Sequence, residues 1–228
     1  MKTMIAGSAF LICASWSSSS KANLIVNGGF EDGVFASAID GGVNEAPVGW
    51  TPDAGYDAPG NYNSVTTYNP YDGSHDLFIA NDPAFPLASL SQSFTTILGA
   101  LYAASFAVAN VWPTGFLAVM IDGVPQATVA APSVDLPASG AITFTTTFAD
   151  GRSTVSTPSS YQQYVLESFD FVGTGSDTLT LAAENAEESY QIDDVAVSLV
   201  PEPSAALLGS VGCALLVVVG RRRARPPA

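Results

Sequence analysis

Between residues 23 and 203 the sequence holds a single cation, Arg152, and no cysteine. All 21 carboxylates fall in that stretch and are left almost uncompensated, a net charge of about −20 when ionised. A surface of that sign repels nucleic acid and anionic lipid head groups, so no nucleic-acid partner is expected. Divalent cations, neutral glycans and basic partners stay compatible with it. Cys13 and Cys213 lie in the apolar ends, so disulfides, thiolate metal sites and cysteine nucleophiles are all excluded from the middle of the chain. His75 is the one histidine, which rules out a histidine-rich metal site. Ser74 and His75 are neighbours, and neighbours on a strand point to opposite faces, so they do not make a nucleophile-base pair. A more distant serine stays open, but no G-x-S-x-G elbow supports one and no catalytic residue is assigned. Paired carboxylates for glycoside hydrolysis are too abundant here to be informative. Phosphate-cradling loops, fixed-period repeats and extended helical periodicity are also missing.

Both ends are apolar. Lys2, the run Met4 to Ala14 and the Ser20-Lys21-Ala22 pattern read as a secretory signal peptide over 1–22, cleaved after Ala22, against the alternative of a buried helix. Ser204 to Gly220 has no charge and precedes Arg221, Arg222, Arg223 and Arg225. That is the pattern of one transmembrane helix over 204–220 with its arginines on the cytoplasmic side, near the short limit for a span. Residues 23–199 would then face outward as one domain, long enough to bury a core.

Short β-branched and aromatic runs between Gly, Pro, Asn and Asp clusters predict an all-β sandwich or barrel. Strands are expected at 24–26, 64–68, 77–80, 90–95, 102–109, 116–121, 124–129, 141–148, 161–172, 178–182 and 190–199. Phe169-Asp170-Phe171 alternates rings with a carboxylate, and Thr143, Thr145 and Thr147 oppose Phe144 and Phe148, as a half-solvated sheet requires. Asp122-Gly123 is a hairpin signal because a type I′ turn needs positive φ at both central residues. Asp150-Gly151 is a weaker one, followed by an expected loop over 152–160. Residues 39–63 read as a long surface loop along one edge, with Trp50 as a plug for the end of the core rather than a ligand contact.

Val200-Pro201-Glu202-Pro203, then an apolar helix, then an arginine cluster, resembles the PEP-CTERM sorting signal, here 200–228. The resemblance implies that an exosortase-type enzyme recognises Pro201, Glu202 and Pro203, that the helix holds the protein in the inner membrane in transit, and that the arginines set orientation. It also implies a destination at the cell surface or outside, among exopolysaccharide and biofilm. Two prolines agree with this, since they keep the backbone extended and unpaired; a plain linker before a permanent anchor is the alternative. Asn23 to Glu31, Pro47-Val48-Gly49-Trp50, Leu90 to Phe94 and Tyr190-Gln191-Ile192-Asp193-Asp194-Val195 resemble the galactose-binding-like jelly rolls, including carbohydrate-binding modules. That resemblance implies a jelly-roll β-sandwich. It further implies a structural calcium site at Glu31 and Asp194, with Asp193 or Asp72 as further ligands; otherwise these acids are solvated edge charges.

Loop aromatics on a rigid sandwich make a glycan platform, and Trp112, Tyr62, Tyr68 and Tyr71 are the candidates, with packing roles as the alternative. The expected function is therefore a non-catalytic surface or matrix protein that binds glycan. A purely structural calcium-stabilised surface protein is the rival, and a secreted polysaccharide hydrolase the third.

Overall fold

The computed structural model describes residues 22–33, 46–56, 58, 61, 63–81, 87–110, 115–130, 143–158 and 163–201, and the structural statements below concern these. The signal segment before Ala22, Tyr62, Trp112, Glu202, Pro203, the helix expected at 204–220 and the tail arginines lie outside them. Strands occur in the order β1 (Thr51–Pro52), β2 (Ser64–Thr66), β3 (Asp76–Asn81), β4 (Ala88–Thr95), β5 (Leu101–Asn110), β6 (Phe116–Ile121), β7 (Val124–Ala130), β8 (Phe144–Phe148), β9 (Ser153–Ser156), β10 (Val165–Val172) and β11 (Ser176–Leu199). No helix occurs among the described residues.

All ladders are antiparallel, and they build two sheets that share β11. One runs β1-β4-β11-β6-β7-β8-β9, and the other β2-β3-β11-β5-β10. The sharing is possible because β11 has two arms. Its first arm pairs Ser176 with Thr95 and Glu184 with Phe116, and its second pairs Tyr190 with Asn110 and Leu199 with Tyr102. One arm therefore lies in each sheet. The sequence pattern places two separate strands there; the strand runs on through the acidic stretch between them, with its register shifting between Asn185 and Ser189.

Alternation decides the core. Strand β10 exposes Asp170 and buries Phe169 and Phe171, as its pattern predicts. Inward residues of the two sheets, among them Phe106, Ile192 and Tyr190 against Leu117, Leu179, Leu181 and Phe144, form one cluster. Thr146 also sits on the buried face, where its hydroxyl donates to Glu167 at 2.8 Å, so neither polar group is stranded. Asp122 and Gly123, at φ 50° and 76°, make the two-residue turn between β6 and β7 that the sequence signals.

Two expectations are corrected. Residues 153–156 are not loop: they pair with β8 as the edge strand β9, through the Asp150-Gly151 turn closed by a Phe148 amide to Arg152 carbonyl bond. Residues 24–26 are not strand. Leu24 donates one bond to the Val197 carbonyl at 2.8 Å, and the chain then leaves the sheet in a turn with Asn27 at φ 53°. The turn wins because side chains take over the backbone bonding. Asn23 caps Ile25 and Val197, and the Gln92 side chain accepts from the Val26 amide at 2.7 Å. Trp50, expected as a plug, is buried at 6% exposure against Phe30.

Candidate functional site

Tyr190 and Ile192 point into the core, so Gln191 and Asp193 project from the opposite face of the second sheet. In register beside them lie Phe78 and Ala109 for Gln191, and Ala107 for Asp193. An outer sheet face is normally wet, yet Asp76, Ala107, Ala109, Gln191 and Asp193 are all fully buried. Part of their cover is Tyr164, which stands just before β10 and reaches across β5 and β11 to donate its hydroxyl to Asp76 Oδ2 at 3.2 Å. Tyr71, from the loop between β2 and β3, packs on the Tyr164 ring at 5.5 Å in a tilted pair and stays half-exposed.

The floor beneath this aromatic pair is polar. Thr66 donates to Asp76 Oδ1 at 2.7 Å, and the Asn69 amide donates to Gln191 Oε1 at 3.1 Å. Gln191 Nε2 is buried and has no hydrogen-bond partner among the described residues. An unpaired buried donor costs about 1–3 kcal/mol, so a group that supplies an acceptor here would recover that cost. Burial pushes the Asp193 carboxyl up to about 6, helped by the charge of Asp76 and opposed by the amides of Asp72, Asp194 and Tyr71. Asp76 is raised as well, chiefly by burial. Tyr164 is held well above the ordinary phenol range by burial and by the charges of Asp76 and Asp193, so it stays a donor.

Asp193 thus binds its proton more tightly folded than unfolded. Its stabilising contribution is complete below the unfolded value near ~4 and is lost as pH rises through the folded value of about 6. The expected result is a melting temperature that climbs as pH is lowered through that window. The span is at most ~3 kcal/mol. In Asp193→Asn the climb should flatten, which separates it from the general relief of acidic self-repulsion.

The four acids proposed as calcium ligands are brought together around residues 71–75. Asp193 Oδ2 accepts from the Tyr71 and Asp72 amides at 2.8 and 3.1 Å, and Oδ1 from Asp194 at 2.7 Å. Glu31 Oε1 accepts from Ser74 and His75 at 2.7 and 3.0 Å, while Oε2 meets His75 Nδ1 at 2.9 Å. Burial works to raise Glu31, but the His75 ring and the two amides outweigh it and lower its pKa. Asp194, at φ 48°, occupies a bulge; burial and the Asp72 charge raise its pKa. Calcium needs 6 to 8 oxygen ligands. Here the carboxylates of Glu31 and Asp193 face N–H donors, and no group of three or more acids or histidines among the described residues is arranged to hold a metal. As arranged, the set does not fit the ion; it ties a loop down.

Of the aromatic candidates, Tyr71 joins the site and Tyr68 stands exposed on the same loop, while Tyr62 and Trp112 are outside the described residues. Tyr164, Gln191, Asp76 and Asn69 were not singled out by sequence. The signal for Gln191 was present, a polar residue alternating with Tyr190 and Ile192. At the other end of β11, Val200 makes the last ladder bond, to the Leu101 carbonyl at 2.9 Å, and Pro201 is exposed. Pro201 has no N–H, so pairing stops there.

The described chain is an all-β protein of two sheets, consistent with a jelly-roll sandwich. Its structural neighbours include carbohydrate-binding modules and the enzymatically active domain of a bacteriophage CBA120 tailspike protein. The module TmCBM61, solved in complex with beta-1,4-galactotriose, is 15% identical with a TM-score of 0.47, over 78% of this chain and 99% of that one. A putative sugar binding protein from Bacteroides thetaiotaomicron is 14% identical with a TM-score of 0.47, over 78% and 100%. A family 35 carbohydrate binding module from an environmental isolate is 20% identical with a TM-score of 0.41, over 69% and 94%. Likeness at this level assigns no ligand to the present chain. No protein-family model and no curated protein matches the sequence.

Proposed function

We propose that the protein is a non-catalytic, exported surface or matrix protein that binds a neutral glycan on the outer face of its second sheet. The observation that carries this reading is the Tyr71 and Tyr164 pair beside a buried polar cluster in which Gln191 Nε2 has no partner among the described residues. A sugar offers an apolar C–H face for the exposed Tyr71 ring, and one of its hydroxyls would accept from Gln191 Nε2 once the cover over that buried atom opens. The neutrality of the ligand follows from the acidic surface, which disfavours uronic acids and sulfated chains.

The same proposal takes the chain ends as address labels. Pro201, Glu202 and Pro203 are the element an exosortase-type enzyme would recognise, with the inner membrane holding 204–220 in transit. Delivery to the cell surface, among exopolysaccharide or biofilm, follows from that resemblance. Mass spectrometry of the mature protein tests it: a carboxy terminus trimmed near Pro203 supports sorting, and an intact Ala228 overturns it.

The binding reading is tested with the full chain in detergent on an array of neutral glycans. Tyr71→Ala removes an exposed ring without opening the core and is expected to lower affinity about 10-fold or more, on the order of 1.4 kcal/mol. No binding to any neutral glycan, or binding indifferent to Tyr71→Ala and Gln191→Ala alike, overturns it. Calcium and chelator are included as arms of the same experiment. A large calcium-dependent rise in melting temperature would show that Glu31 and Asp193 release their amide partners to become ligands, favouring the structural rival. Release of reducing sugar from any polysaccharide would favour the hydrolase.

A further inference from the structure

One end of the sandwich differs from the rest of this acidic domain. There the β4–β5 loop, the β10–β11 connection and the last residues of β11 meet. Gly99 donates to the Gly173 carbonyl and Gly173 to the Ala100 carbonyl across the first two, Val172 pairs with Leu101, and Val200 donates to the Leu101 carbonyl. Five apolar side chains stand in water on this end: Ile97 at 61% exposure, Leu98 at 78%, Leu101 at 41%, Val172 at 59% and Leu199 at 40%. Beside them, Ala22, Leu24, Ile97, Tyr102, Leu199 and Pro201 line a shallow, open depression of about 400 Å³, so both ends of the described chain arrive at one place.

The segments that carry these side chains are themselves uncharged. Residues 94–110, 171–176 and 195–201 contain no ionisable acid or base other than Tyr102, in a segment with 21 carboxylates. Asp177, the acid that follows, is fully buried and is bonded by the Thr96 hydroxyl and by the Thr174 amide and hydroxyl. Burial works to raise it, and those donors outweigh burial and keep its pKa low. Asp122 is exposed at this same end, in the β6–β7 turn beside the start of β11, where it accepts from the Thr178 amide and lies against Asp177. An exposed apolar patch of this kind marks an interaction surface, and the geometry of the chain exit selects the partner. Only Glu202 and Pro203 separate Pro201 from the uncharged stretch that starts at Ser204. Three residue steps reach at most about 10 Å, so a domain tethered there has its exit end held within that distance of whatever the stretch enters.

We propose that this end of the sandwich seats on the lipid surface, with Ile97, Leu98, Leu101, Val172 and Leu199 in the head-group and upper acyl region. The inference rests on reading 204–220 as a membrane segment. The anchored protein is then held with this end down and the glycan-facing sheet surface upright, rather than swinging on its linker. The partner surface is uncharged or zwitterionic lipid, because the rest of the domain repels anionic head groups.

The test uses the full chain with Cys13→Ser and Cys213→Ser, placed in phosphatidylcholine nanodiscs that contain spin-labelled lipid. Single cysteines carry an environment-sensitive fluorophore at Leu98→Cys, at Ser210→Cys, and at Val155→Cys as the control. Val155 lies at the opposite end of the strands, through its pairing with Thr145, which pairs with Ala130 and so with Phe116. The expected result is blue-shifted emission and severalfold stronger quenching at Leu98→Cys than at Val155→Cys, with Ser210→Cys quenched most. Quenching at Ser210→Cys with Leu98→Cys no different from Val155→Cys overturns the seating alone. Shielding of Leu98→Cys that occurs only when a processing enzyme is added also overturns it, in favour of a protein partner. No quenching at Ser210→Cys overturns the seating together with the membrane reading beneath it.

Discussion

Gly28→Ala is expected to destabilise the domain by roughly 3 kcal/mol or more, enough to lower expression of folded protein. A Cβ at position 28 would overlap the Val195 carbonyl oxygen and press on its carbon. Both are backbone atoms of the last strand, so no rotamer change relieves the clash. The same two residues are joined by the Val195 amide donating to the Gly28 carbonyl at 2.9 Å, and that bond is lost if the chains separate. Gly99→Ala is the control: its φ is +80°, but nothing lies within 4 Å of the added Cβ. It should cost only the left-handed strain of about 1–2 kcal/mol. Thermal or chemical unfolding of the two variants checks the difference, and equal losses would show that the 28–195 contact is not tight.

The second large effect is expected at Trp50. Its ring packs on Phe30 at 5.5 Å, and its indole N–H donates to the Asn27 carbonyl at 3.1 Å. Trp50→Ala removes that contact and leaves an acceptor bare, which places the cost at about 3–5 kcal/mol. Trp50→Phe keeps most of the packing and loses the hydrogen bond, so its cost should be nearer 1–2 kcal/mol. If Trp50 instead served as a ligand contact, Trp50→Ala would leave the melting temperature nearly unchanged while removing glycan binding. Measuring both quantities on both variants separates the roles.

These two residues belong to one device. Asn27 donates to the Asp32 and Val48 carbonyls and accepts from the Asp32 amide, so one side chain staples the first turn to the segment carrying Trp50. Gln92, from β4, closes the other side by bonding Val26 and Gly49. Leu24-Ile25-Val26 looks like a strand by composition because β-branched residues favour one. Asn23 beside it and Gln92 from far along the chain offered the backbone side-chain partners in place of a ladder.

The all-β class was legible because its signals are local. Alternation over two residues assigned the faces of β8 and β10, and Asp122-Gly123 fixed its turn through backbone sterics that need no distant partner. The shortage of cations and cysteine bounded the ligand chemistry in the same direct way, since charge and thiol content do not depend on folding. The jelly-roll resemblance pointed to Glu31, Asp72, Asp193 and Asp194, and the structure gathers them around one loop. Their partners were not legible, because an N–H donor from residues 71–75 leaves no mark in a sequence pattern.

The pairing of Tyr71 with Tyr164, the burial of Gln191 and the apolar patch around Leu98 were decided by tertiary structure alone. Each depends on register between strands far apart in the chain and on the bulge between Asp193 and Ala196, where a shift of one residue exchanges inward for outward side chains. Residue pattern can say that a side chain leaves a sheet on a given face. Only the packed molecule says what it meets there.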